Sequence, residues 1–86
     1  MYEFGHDMTT PEQLRAARAM IGLSQAELAS RVGQSTMTIR RAEASGGPTV
    51  AEPTIAAIRS ALEAAGIEFI AENGGGAGVR LKGTRD

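Results

Sequence analysis

Residues 23–43 read LSQAELASRVGQSTMTIRRAE and contain two helix openings separated by one glycine. Ser24 and Glu27 have the spacing of a capping box, in which the hydroxyl accepts the third helical amide and the carboxylate returns to the cap amide. Leu23, just before the cap, is placed to pack on Leu28 as a hydrophobic staple. The helix started there runs to about Val32, where Gly33 can take the positive φ of a sharp turn. Ser35 caps again within two residues, so a third helix begins almost at once and is expected to end near Ala44–Gly46. Two helices of about eight residues joined so tightly cross steeply instead of lying antiparallel.

At about 100° per residue, with Thr36 at zero, Arg40 falls near 40°, Met37 near 100° and Arg41 near 140°. Ile39, Ala42 and Thr38 fall on the opposite side. A helix anchored by Ile39 and Ala42 therefore projects Thr36, Met37, Arg40 and Arg41 together.

On the N-terminal side, Thr10, Pro11 and Gln13 form another helix opening, with a capping hydroxyl, a proline where no donor is missed and an amide that can return to the cap. Leu14, Ala17 and Ile21 follow at helical spacing, and Gly22 is the stop, which predicts a helix over 11–21. On the C-terminal side, residues 45–51, SGGPTVA, have loop composition. Ile55, Ile58, Leu62 and Ala65 then make an apolar stripe that opens at Glu52 and Pro53 and stops at Gly66. Beyond Gly66 the period changes to two. Ile67 and Phe69 alternate with Glu68, Val79 and Leu81 alternate with Arg80 and Lys82, and the glycine-rich ENGGGAG separates the two runs, which predicts a β-hairpin. The expected fold is mainly α, with four to five short helices and a C-terminal hairpin. Residues 1–9 read as a tail, 10–66 as the helical domain, and 67–86 as hairpin and tail whose outer edge offers a dimerisation element.

A chain of 86 residues makes one domain. The net charge of −1 conceals an uneven distribution, because residues 12–46 carry five arginines against three glutamates, an excess of +2. A local basic face steers a polyanion more than the overall balance does. The chain has no cysteine, so disulfides and thiolate metal sites are excluded. No apolar run approaches the ~18–20 residues of a membrane span, and residues 1–10 lack a signal-peptide pattern, so a cytoplasmic location is expected.

Residues 10–66 resemble the helix-turn-helix domain of lambda-repressor-like (XRE, Cro/C1-type) transcriptional regulators, and LSQAELASRVGQSTMTIRRAE follows that motif nearly position by position. The tail GIEFIAENGGGAGVRLK is similar to the ends of short bacterial regulators that carry a strand pair after the last helix. The resemblance implies sequence-specific binding to double-stranded DNA. It assigns Ser35, Thr36, Met37 and Arg41 to positions facing base edges and Gln25 to a phosphate contact, with Arg40 toward the backbone. It also implies a buried ion pair of Arg18 with Glu43. Two positions depart from the family pattern. Met37 is often polar there, and methionine suits a thymine methyl better than a base hydrogen bond. Ala42 is usually larger, so the space beside it is expected to be filled by the hairpin or by Met20.

Physics supports the assignment independently. The major groove, about 12 Å wide, admits a helix, and an arginine such as Arg41 can donate two hydrogen bonds to guanine. Phosphate contacts from Gln25, Arg40 and helix-terminal amides would set register only. So few cations make a monomer a weak binder, and useful affinity calls for a homodimer on two half-sites. The function expected is a transcriptional regulator, more often a repressor. An antitoxin that represses its own operon, with a toxin as protein partner, remains open, as does a protein-interaction adaptor that keeps the shape without DNA affinity.

Other features read as structural. NGGGAG lacks a following G-K-[ST] and is a turn. His6 is the only histidine and has no companion ligands, so neither a metal nor a cofactor is expected. The segment MYEFGHDMT reads as a loose tail in which Met8 is an alternative start and Tyr2 and Phe4 could clip onto a neighbour. No nucleophile with its base and no pair of catalytic carboxylates can be assembled, so the chain is expected not to be an enzyme. Stacking on single-stranded RNA needs aromatics, and none lies on the polar helix.

Overall fold

The computed structural model describes residues 9–47 and 49–83. The expected tail through Met8, with Tyr2, Phe4 and His6, lies outside the described residues. Four helices, α1 (Pro11–Met20), α2 (Gln25–Val32), α3 (Thr36–Ala42) and α4 (Glu52–Ala64), precede an antiparallel hairpin of β1 (Ile67–Ile70) and β2 (Gly78–Leu81).

Three of the four helices begin at a side chain that satisfies orphan amides, whereas α4 begins behind Ala51 with no side-chain cap. Thr10 accepts from the Gln13 amide at 3.1 Å while the Gln13 side chain accepts from the Thr10 amide at 2.8 Å. Ser24 and Glu27 make the same reciprocal pair at 3.0 and 2.8 Å. Ser35 accepts from the Thr38 amide at 3.1 Å. Gly33 ends α2 in the left-handed region at φ 68°, a conformation that costs any residue with a Cβ. Helix α3 stops at Ala42, short of the expected Ala44–Gly46. The cause is a tertiary contact: Glu43 becomes the cap, its side chain is drawn toward Arg18 of α1, and its carbonyl accepts from Arg15 instead of continuing the helical ladder.

The core gathers Leu14, Ala17, Leu28, Ala29, Ile39, Ala42, Ile58, Leu62 and Ile67. Burying each large aliphatic side chain stabilises the fold by roughly 1.5–3 kcal/mol relative to leaving it in water. Leu23 and Val79 pack around this centre. β2 lies on α1 and β1 on α4. The strand register pairs Ile67 with Leu81, Glu68 with Arg80, Phe69 with Val79 and Ile70 with Gly78. Alternation therefore turns Ile67, Phe69, Val79 and Leu81 to the helices and Glu68 with Arg80 to the other side. Arg59 stacks over the Phe69 ring at 4.7 Å and donates to Thr9 and Glu63 at 3.0 and 3.1 Å, which fastens β1 to α4.

The space beside Ala42 is not filled as expected. Met20 is 43% exposed, and the hairpin does not reach the site. What remains is a hollow of about 170 Å³ bordered by Pro11, Arg41, Ala42, Gly46, Val50 and Ile55. Among the described residues no helix is long and apolar enough to cross a membrane.

Candidate nucleic-acid interface

Helix α3 has seven residues and divides cleanly. Ile39 is fully buried and Ala42 nearly so. Arg40 and Arg41 are exposed, Thr36 is half-buried, and Met37 is 47% exposed, unusual for so large an apolar side chain. The exposed Ser35 at the N-cap shares a 3.0 Å contact with the Thr38 hydroxyl. Ser35, Thr36, Met37, Arg40 and Arg41 thus lie on one short segment, whose inner side is occupied by core contacts. Among the described residues neither arginine has a carboxylate partner, whereas Arg18, Arg59 and Arg80 each do. Among the described residues no side-chain hydrogen bond engages either guanidinium, each of which carries five N–H donors.

Behind α3 stands a polar cluster that holds the helix in place. Arg18, near the end of α1, donates from Nε to Glu43 at 2.7 Å and from a terminal nitrogen to its other oxygen at 3.0 Å. Its remaining terminal nitrogen donates to the Leu23 carbonyl at 2.9 Å. The hydrogen bond to Glu43 raises the Arg18 guanidinium further above its ordinary value. Glu43 is 3% exposed, and such a charge needs a partner of this quality.

Gln25 is only partly where the resemblance implies. It is half-buried at the start of α2, and its side-chain amide donates to Glu43 at 3.1 Å. One amide hydrogen is therefore committed to the cluster, which leaves the second for any phosphate. One contributor to this arrangement carries no signal in the sequence: Arg15 looks like an ordinary solvent-facing residue of α1 yet donates to the Glu43 backbone carbonyl.

Among the described residues no group of histidine, aspartate and glutamate could hold a metal ion. The hollow beside Ala42 borders Arg41 but is small and lined mainly by glycine, alanine and threonine. The geometry is that of a short, cation-bearing helix braced from behind. Set against known proteins, the chain matches no family model and no curated protein.

Proposed function

We propose that the chain is a sequence-specific, double-stranded-DNA-binding transcriptional regulator of the lambda-repressor-like helix-turn-helix type, which acts as a homodimer in the cytoplasm and most simply as a repressor. The observation that carries this reading is the partition of α3: Ile39 and Ala42 are buried while Met37, Arg40 and Arg41 are exposed on the other side. A helix of this form enters the major groove with its outer side chains on the base edges. In this reading Arg41 donates two hydrogen bonds to guanine, Met37 packs on a thymine methyl, and the Ser35 and Thr36 hydroxyls complete the base contacts. Arg40 and the second hydrogen of Gln25 hold phosphates and fix register. Occupying a promoter in this way excludes polymerase.

Selection of binders from random duplex DNA tests the reading. An enriched, two-fold symmetric consensus is expected. Arg41→Ala should then weaken binding to that consensus by ~1–3 kcal/mol and relax the preference at one base pair, whereas Arg40→Ala should weaken all duplexes about equally. A pool with no enriched sequence, together with no salt-dependent binding to duplex, overturns it.

A further inference from the structure

The loop that joins β1 to β2 holds the only asparagine of the chain, Asn73, followed directly by Gly74. We propose that this pair is a self-modification site, at which Asn73 converts in the folded protein, without an enzyme, through a cyclic imide to isoaspartate and aspartate. The proposal is independent of the DNA-binding reading.

The reaction asks three things of the backbone. The nitrogen of the following residue must be unobstructed, its N–H must not be held in a hydrogen bond, and the chain must be free to turn that nitrogen onto the asparagine side chain. Gly74 meets the first condition because it carries no Cβ. The ladder ends at the pair Ile70–Gly78, and among the described residues no hydrogen bond engages the Gly74 amide or the Asn73 side chain, which meets the second. Residues 71–77 are exposed, and a Cβ built on Gly74, Gly75 or Gly76 would meet open space. Nothing therefore braces the loop, and solvated segments with so few contacts open locally at little cost.

The deprotonated Gly74 nitrogen attacks Asn73 Cγ. The N–Cγ bond forms, the Cγ–Nδ2 bond breaks, and the proton given up by the nitrogen is made good on the departing amide, which leaves as ammonia. Water then opens the five-membered imide at either carbonyl. Attack at Cγ gives aspartate, and attack at the main-chain carbonyl gives isoaspartate, whose link to Gly74 runs through the side-chain carbon. The three glutamines do not compete, because their ring would have six members and each precedes a residue with a side chain, Leu14, Ala26 or Ser35. Gln13 and Gln25 also spend their amides elsewhere, Gln13 on the Ile70 and Gly78 carbonyls at 3.2 and 3.0 Å and Gln25 on Glu43 at 3.1 Å.

The fold limits the consequence. Gln13 clamps the base of the loop, outside the altered bond, so the extra backbone carbon of isoaspartate is taken up among exposed glycines. What changes is charge, since a new carboxylate beside Glu72 adds to a formal balance that is already negative.

The test keeps purified protein at physiological temperature in mildly alkaline and in mildly acidic buffer, beside a synthetic peptide of residues 68–77, and follows both by mass spectrometry. The tryptic fragment 60–80 alone should gain the mass difference between NH₂ and OH, faster in alkali, and part of the product should be a substrate for isoaspartyl methyltransferase. The folded chain should convert within a few-fold of the peptide's rate, with the circular dichroism spectrum of aged and fresh protein superimposable. Asn73→Gln should hold the parent mass over the same period. Gly74→Ala should slow conversion several-fold in the protein and equally in the peptide, where folding plays no part. A folded chain that keeps its mass while the peptide converts, a gain carried by another fragment, or a Gly74→Ala peptide that converts as fast as the parent would overturn the proposal.

Discussion

Among the described residues, Gln13 and Glu43 are the two buried polar side chains, 5% and 3% exposed, and each ties α1 to a different part of the chain. Removing the partner of Glu43 strands a charge in the interior, so Arg18→Met should lower unfolding stability in urea by ~3–5 kcal/mol. Arg18→Met combined with Glu43→Leu should recover much of that loss, because an apolar pair leaves nothing unsatisfied. Gln13→Glu makes a finer distinction. A carboxylate still closes the capping box with Thr10, but it cannot donate to the Ile70 and Gly78 carbonyls. Faster amide exchange in β1 and β2, with α1 protected as before, is the expected result. Spacing alone presents Arg18 and Glu43 as two surface charges, and only the family resemblance pairs them. The tie from Gln13 to the hairpin is invisible in sequence, because its partners are backbone carbonyls some sixty positions away that carry no side-chain signature.

At the level of elements, local chemistry was readable wherever it acts within a few residues. The boxes at Thr10 and Ser24, the serine cap at Ser35, the glycine stop at Gly33 and the change of period after Gly66 each involve neighbours in the chain, and the helices and strands follow them. The end of α3 was misplaced because a residue from α1 sets it. Two predictions belong here. Gly33→Ala meets open space around the new Cβ, so its cost is conformational, ~1–2 kcal/mol, and Gly33→Asn should lose less; thermal melts measure both. Hydrogen bonds donated by the Ser24 amide and then by its hydroxyl hold the Glu27 carboxyl below the usual carboxylate range. A carboxyl depressed in the folded state stabilises it above the unfolded value and loses that contribution as pH falls through the folded value. The start of α2 should therefore loosen in acid. Glu27→Gln keeps the box without the charge, and its urea midpoint should lie below the parent's at neutral pH and converge with it below the carboxylate range.

For the whole molecule, the candidate DNA face is legible as a pattern, because a helix with Ile39 and Ala42 inside must put Arg40 and Arg41 outside. The hollow beside Ala42 and the exposure of Leu81 are not, since both depend on where distant elements come to rest. The overall charge of −1 places the burden of phosphate binding on few groups. A dimer touching ~4–6 phosphates should show a slope of log affinity against log salt of about −4 to −5. A much steeper slope would mean that cations beyond α2 and α3 take part.

Helix α1 carries the Gln13 bond to the hairpin at its beginning and the Arg18 bond to the end of α3 near its last turn. It is therefore a strut between the hairpin and α3. If two copies join through the hairpin and each α3 occupies a groove, this strut fixes the distance between the two grooves. Operators whose halves are spaced a base pair too near or too far would then be rejected by the stiffness of ten residues, without any base in the spacer being touched.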